Sequence, residues 1–287
     1  MPNFKIITDS ACDLPQAMLA QLDVTTTVLH VLCRGENMPD TVEDDRIADF
    51  YAGMRGGEVA KTSAVNPEGW AAVIEPVLAA GQDALVLGFS SGLSTTYQSA
   101  VIAANELMEK YPQRKVITVD TLCAALGQGL LVWHTCKKRD EGLSLEELAA
   151  WVEDNKLHLA HWFTVDDLVY LKRGGRVSAA TAVVGAMLNI KPVLKVDDNG
   201  KLVSAMKVRG RKSAVKALAD KLDEAEGFDN STVFICHADC IADAELLKAM
   251  VQQKHPGTEV MIGNLGAVIG SHAGPGTLAL FFLSQKR

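Results

Sequence analysis

A short apolar run, Ala84-Leu85-Val86-Leu87-Gly88, gives way to Phe89-Ser90-Ser91-Gly92-Leu93-Ser94-Thr95-Thr96-Tyr97-Gln98-Ser99-Ala100. A helical pattern follows, with Val101, Ile102, Leu107 and Met108 as its apolar positions. The run is short enough to be a buried strand. A strand whose carboxyl end feeds a helix through a Ser/Gly/Thr loop is a strong constraint, because it belongs to an open α/β sheet, and such sheets bind ligands at these junctions. The free N–H groups and positive dipole end of the helix suit an anion. The same residues also make an ordinary Ser/Thr cap with turn glycines, and the loop alone leaves both readings open.

The rest of the N-terminal half repeats the alternation. Phe4 to Thr8 reads as a first strand, with a short helix from Pro15 to Leu22. Thr25 to Val31 is β-rich, Asn37 to Asp45 is polar and irregular, and Ile47 to Met54 is helical. Lys61 to Val65 is an extended link. Asn66-Pro67-Glu68 carries helix-start signals, and Gly81 closes that helix. Lys115 to Val119 is a strand, Leu122 to Lys138 a long helix, and Ser144-Leu145-Glu146-Glu147 a capping box. Strand and helix in turn imply a parallel sheet flanked by helices.

From Leu157 the pattern changes. Leu157 to Phe163 is strand-like, Thr164-Val165-Asp166-Asp167 caps a short helix, Lys172 to Arg176 is a basic glycine turn, and Ala179 to Leu188 is apolar and helical. Asp198-Asn199-Gly200 between two β-rich segments is a hairpin signal. A helix over Arg211 to Ala225, a strand at Thr232 to Cys236, a helix at Ala242 to Gln253 and strands at Thr258 to Ile262 and Thr277 to Leu283 follow. A hairpin inside an αβ pattern predicts a mixed sheet. The expected architecture is therefore α/β with two domains: residues 1–156, Rossmann-like with a parallel sheet, and residues 157–287 with a mixed sheet.

A net charge of -7 over 287 residues argues against nucleic acid as a partner. No apolar run reaches membrane-spanning length, and the N-terminus lacks a signal-peptide pattern. Six cysteines scattered through such a length read as reduced thiols in a cytoplasmic protein. Nucleotide-binding glycine motifs and a G-x-S-x-G elbow are absent. Cys236-His237-Ala238-Asp239-Cys240 lacks a second cluster to complete a metal site and reads as strand-end packing. Cys123 reads as a buried small thiol. Three features remain: the hydroxyls of Thr62-Ser63, those of Ser90, Ser91 and Ser94, and the cationic or titratable groups Arg209, Arg211 and the turn Gly270-Ser271-His272-Ala273-Gly274-Pro275-Gly276.

These stretches resemble the DegV family, the fatty-acid-binding proteins that include the FakB subunits of bacterial fatty acid kinase. The matching segments are Ile7-Thr8-Asp9-Ser10, Lys61-Thr62-Ser63, Ser90 to Ala100, Leu171-Lys172-Arg173-Gly174-Gly175-Arg176-Val177-Ser178, Leu188 to Leu194, and His272-x-Gly274-Pro275-Gly276. They occur in family order over nearly the whole chain. The resemblance implies a palmitate-like fatty acid with its tail buried between the two domains and its carboxylate held by Thr62 and Ser94. It places Arg209 and His272 near the head group, and Ser91 and Thr95 are further candidates for head-group or partner contact. It implies no catalytic residue, metal or covalent cofactor. In FakB-like members an ATP-dependent kinase subunit phosphorylates the presented acid. Two departures stand out: Thr95 where the family usually has Gly, and Ala64-Val65-Asn66 where it often has Gln-Pro-Ser. The rival readings are a stand-alone hydrolase or phosphotransferase using the Ser/Thr loop with His272 as base, and a lipid-sensing regulator. Val183, Val184 and Met187 read as plain core.

Overall fold

A computed structural model describes residues 3–177, 189–225 and 227–287. The apolar segment around Val183, Val184 and Met187, with Ser178 and Leu188, lies outside the described residues. The chain opens with β1 (Phe4–Asp9), α1 (Gln16–Gln21), β2 (Val24–Thr27), β3 (His30–Cys33), β4 (Glu36–Pro39), α2 (Asp44–Arg55), β5 (Lys61–Ser63) and α3 (Pro67–Ala79). It continues through β6 (Asp83–Gly88), α4 (Thr96–Lys110), β7 (Val116–Asp120), α5 (Ala125–Asp140) and α6 (Leu145–Asn155). Next come β8 (Leu159–Thr164), α7 (Val169–Arg173), β9 (Ile190–Val196), β10 (Leu202–Arg209) and α8 (Arg211–Leu222). Then β11 (Thr232–His237), α9 (Ile241–Lys254), β12 (Glu259–Asn264), α10 (Ala267–Ala273) and β13 (Leu278–Leu283) complete it.

Local signals account for many of these boundaries. Asn66 Oδ1 accepts from Gly69 N at 2.9 Å and starts α3, with Pro67 in the first turn. Ser144 and Glu147 form a reciprocal capping box on α6. Asp167 Oδ1 accepts from Val169 N at 2.9 Å where α7 begins. The turn at Asp198-Asn199-Gly200 joins β9 and β10 antiparallel, with Gly200 at φ 68°.

Three sheets result among the described residues. The first is wholly parallel, in order β2-β1-β6-β7; the second is mixed, in order β10-β9-β8-β13-β11-β12, with β11 and β12 as its parallel pair. The α/β fold class is as the alternation implied. The third sheet, antiparallel β4-β3-β5, corrects two sequence expectations. The stretch expected to be irregular contains β4, and the extended link contains β5. The short polar β4 is mostly exposed and carries no hydrophobic alternation, and β5 finds β3 some thirty residues away, beyond any local signal.

The helix α5 is the layer that the two large sheets share. Gln128 Nε2 donates to Thr8 Oγ1 on β1 at 3.0 Å, while Ala124 N, just before the helix, donates to His161 Nε2 on β8 at 3.3 Å. Leu126, Leu130 and Leu131 are fully buried there. A second correction concerns the segment expected to be a glycine turn, which forms α10 over its first half. Its Gly270 and Ser271 are poor helix formers, but packing overrides propensity. Tyr51 lies so close to Gly270 that a Cβ there would sit 2.2 Å from its hydroxyl. Two anchors hold the helix start: Tyr51 OH donates to Leu265 O at 2.7 Å, and Val268 N donates to Asp40 Oδ1 at 2.9 Å.

Candidate functional site

A cavity of about 520 Å³ lies against the inner face of the mixed sheet, within the size range of small-molecule sites. Alternate residues of β8 and β13 supply one wall: Phe163 and His161 from the first, Ala279 and Phe281 from the second, with Thr277 just ahead of it. Phe163 pairs with Ala279 and His161 with Phe281. Val196 and Leu202 extend that wall onto the hairpin, and Leu265, Val268 and Ile269 enter from the start of α10. The link from β7 to α5 passes through Leu122 and Ala125, both at φ 53°. Such left-handed backbone costs about 1–2 kcal/mol per non-glycine residue. It sets Ala124 and Ala125, small side chains, against the cavity.

Polar groups gather in one part of the wall. Thr62, Ser91, Ser94, Thr95 and His272 all line the cavity, as does Arg176. Thr62 stands on β5 opposite Val31, and its Oγ1 lies 2.8 Å from His272 Nε2 on the last turn of α10. Ser94 and Thr95 immediately precede α4. Ser94 Oγ lies 2.8 Å from Thr96 Oγ1 and accepts from Thr96 N at 3.2 Å. Its own N–H, like that of Leu93, is folded back to Ser90 O. The positive end of α4 therefore stands at this polar rim. Gly92 is required where the loop meets the hairpin, because a Cβ there would lie 2.5 Å from Asn199 O. Beside it Ser90 Oγ donates to Gly200 O at 2.8 Å.

Arg176 holds its place by donating Nε to Leu93 O at 3.2 Å and Nη1 to Gly174 O. The sequence placed it within a family-like stretch without giving it a task. The signal was a cationic residue after two glycines, indistinguishable from a solvated turn. Gly174 is the second hidden piece: a Cβ there would meet His272 Nδ1 at 2.2 Å, so the imidazole can lie flat against the end of α7 only because position 174 has no side chain. Burial, and then the nearby Arg176 charge, push His272 down to about 4. Its Nδ1 is buried and has no hydrogen-bond partner among the described residues.

Arg209 departs from the sequence expectation. The bulge between Ser204 and Met206 turns Arg209 onto the sheet face that carries Leu202, but the residue is exposed and is not among those lining the cavity. As the last residue of edge strand β10, it follows the strand outward past the cavity wall. Arg211 is likewise engaged elsewhere, donating Nε to Asp243 Oδ2 at 2.8 Å. Cys236 is fully buried within β11 and Cys240 precedes α9. Among the described residues, no group of three or more His, Cys, Asp or Glu side chains is placed to hold a metal ion. Cys123 is buried, as expected, with Arg287 Nη2 3.1 Å from its sulfur. Among the described residues no helix is long and apolar enough to cross a membrane.

Fold and site together define an α/β protein built around a mainly apolar cavity with a hydroxyl, imidazole and guanidinium rim. Over residues 3–285 the chain matches the family model described as an uncharacterised protein of the DegV family. It is 43% identical over 291 residues to a DegV domain-containing protein of Clostridium perfringens, covering 100% of this chain and 99% of that one. A solved DegV family protein from Thermus thermophilus, described for its fatty acid binding, matches with a TM-score of 0.88 at 34% identity over 98% of this chain and 99% of that one. A DegV lipid-binding protein from Thermotoga maritima matches with a TM-score of 0.86 at 30% identity, covering 100% of both chains. The chain belongs to the DegV family.

Proposed function

We propose that this protein binds a long-chain, palmitate-like fatty acid, tail inside and carboxylate held by Thr62 and Ser94, and presents it to an ATP-dependent kinase subunit. The observation that carries this reading is a single cavity of about 520 Å³ joining the Thr62–His272 pair to an apolar wall of Phe163, Ala279 and Phe281. The Thermus and Thermotoga relatives, described as fatty-acid- and lipid-binding, support it. In this reading the ligand lies between an N-terminal unit of residues 1–156 and a C-terminal unit of residues 157–287.

The energetics favour a tail-dominated site. Each buried methylene contributes about 0.8 kcal/mol, and association and ordering remove a large share of the sum. The head group then sets orientation. His272 gives the site an adjustable donor. With Nδ1 unpartnered among the described residues, the imidazole can carry its proton on either nitrogen. Across the 2.8 Å between Thr62 Oγ1 and Nε2 either group can donate, as the tautomer decides. When a carboxylate arrives, Nε2–H donates to Thr62 Oγ1, and the hydroxyl turns to the ligand. Arg176 and the α4 terminus add attraction for the negative charge. Thr95, exposed on the same loop, leaves the head-group end open to a partner.

A hydrolytic or phosphotransfer role is less consistent with this geometry. A neutral imidazole held near 4 is a weak base at neutral pH. The bare Nδ1 also lacks the orienting acceptor of a nucleophile–base pair.

Denaturing extraction of protein purified from cells, followed by mass spectrometry, should release fatty acid in near-stoichiometric amount. Thr62→Ala and Ser94→Ala should each weaken a displaced fluorescent fatty acid by about tenfold, the loss of one hydrogen bond to a charged group. A protein that yields no fatty acid and binds none overturns the carrier reading. Full kinase turnover of acid bound to the double variant overturns the carboxylate assignment.

A further inference from the structure

His161 is a fully buried imidazole in the wall of an otherwise apolar part of the cavity. Its hydrogen bonds fix its tautomer. Leu159 O, 2.8 Å from Nδ1, can only accept, so Nδ1 carries the proton. Nε2 accepts from Ala124 N at 3.3 Å. Both nitrogens are therefore used by backbone, and burial together with the Arg287 charge keeps the ring neutral. What His161 offers the cavity is carbon. The ring stands edge-on to Phe281, centroids 5.3 Å apart and planes at 86°. The two are directly paired across β8 and β13.

The position of this pair along the cavity follows from the strand. Thr277 Oγ1 donates to Ala273 O at 3.0 Å, next to His272, so this end of β13 is the head-group end. Ala279 and Phe281 follow on the same face, and the four extended residue steps from Thr277 to Phe281 span about 13 Å. Ala279 and its partner Phe163 line the stretch nearer Thr277, the His161–Phe281 pair comes next along both strands with Ala124 beside it, and the following pair on that face, Leu159 and Leu283, no longer lines the cavity. Behind those rings is Gly127, which does not itself line the cavity. A Cβ at Gly127 would lie 2.2 Å from His161 Nε2 and 2.7 Å from Phe281 Cδ1. Position 127 is thus the seat into which both rings settle.

We infer that the His161–Phe281 ring pair is the end wall that limits acyl-chain length, and that Gly127 sets how far back this wall stands. The inference rests on the carrier reading and adds its selectivity. The two sides of the wall give variants of opposite sign. His161→Ala removes the ring and lengthens the channel. Gly127→Ala lifts both rings toward the head group and shortens it.

The test is native mass spectrometry of full-length protein incubated with an equimolar series of straight-chain saturated fatty acids, reading which chain lengths are retained. Relative to wild type, His161→Ala should shift the retained profile to longer acids and Gly127→Ala to shorter ones. Each methylene gained or lost changes relative retention by about fourfold. Thr62→Ala should lower total occupancy and leave the profile in place. Retention by wild type with unshifted profiles in variants that still carry lipid overturns the end wall while leaving the carrier intact. Failure of wild type to retain any acid overturns both. Should one variant not fold, the shift in the other decides, because either sign alone suffices.

Discussion

At the scale of single residues, His272 does more than its place in a sequence motif suggests. Its ring is pressed between Thr62 and Gly174, and its proton affinity falls to about 4 from the ordinary 6.5. The unfolded chain takes up this proton as pH falls through 6.5, and the folded chain does so only near 4. Stability is therefore lost across that window on acidification. Wild type should lose melting temperature between pH 6.5 and 4 more steeply than His272→Gln, read by calorimetry across that range. Two buried carboxyls act in the opposite sense. Burial raises Asp9 to about 7 and Asp40 to about 6, against N–H donors at Phe89 and Ala11 for the first and at Val268 and Thr41 for the second. A carboxyl that keeps its proton longer when folded adds stability at low pH and gives it up as pH climbs from about 4 to the folded value. Asp9→Asn should flatten stability between pH 4 and 7, where wild type slopes downward.

Among these residues, Thr62, Ser91, Ser94, Thr95 and His272 were legible as a set because each sits in a short stretch of recognisable order, and all five line the cavity. Arg176 was visible but silent: nothing local distinguishes a guanidinium braced on Leu93 O from one in solvent. Arg209 lies apart from the cavity, because a bulge and an edge strand, neither marked in the sequence, decide where it points.

At the scale of elements, strand-helix alternation was readable because burial leaves a period in the sequence. The β4-β3-β5 sheet and α10 were not, because β4 is too polar to leave a strand pattern and β5 and α10 depend on partners distant in the chain. Helix α10 is short, rich in small residues and held by Tyr51, Asp40 and Tyr170 from other elements; even its closing glycine, Gly274 at φ 83°, is packed against the Tyr170 ring. That dependence makes a sharp test of how α7 and α10 cooperate. Gly174→Ala adds one methyl on the end of α7 and must displace the imidazole. It should weaken fatty acid binding as much as His272→Ala does, with little change in melting temperature. Equal affinity for wild type and Gly174→Ala would show that the imidazole's seat is unimportant.

At the scale of the whole molecule, the cavity is bounded by a loop of the parallel sheet, a strand of the small sheet, the face of the mixed sheet and α10. An occupant that bridges all four ties their stabilities together. Linkage then requires a melting temperature that rises with free ligand, by about 2.7 kcal/mol of added stability at a hundredfold excess over the dissociation constant. Delipidated protein should melt earlier than loaded protein, and the gap should grow with acid concentration.

The anchoring of α10 has a consequence of its own. Asp40 gathers Ser10 Oγ, Thr41 N and Val268 N around one carboxylate at the start of a helix about 10 Å long, whose far end carries His272. Asp40 is not among the cavity-lining residues. Asp40→Asn keeps the shape and loosens the splint, so it should slacken the hold on the acid through a substitution remote from it, measurable as faster release of bound lipid. In the carrier reading, the firmness of the grip should thus be inherited from a charge the cargo never meets.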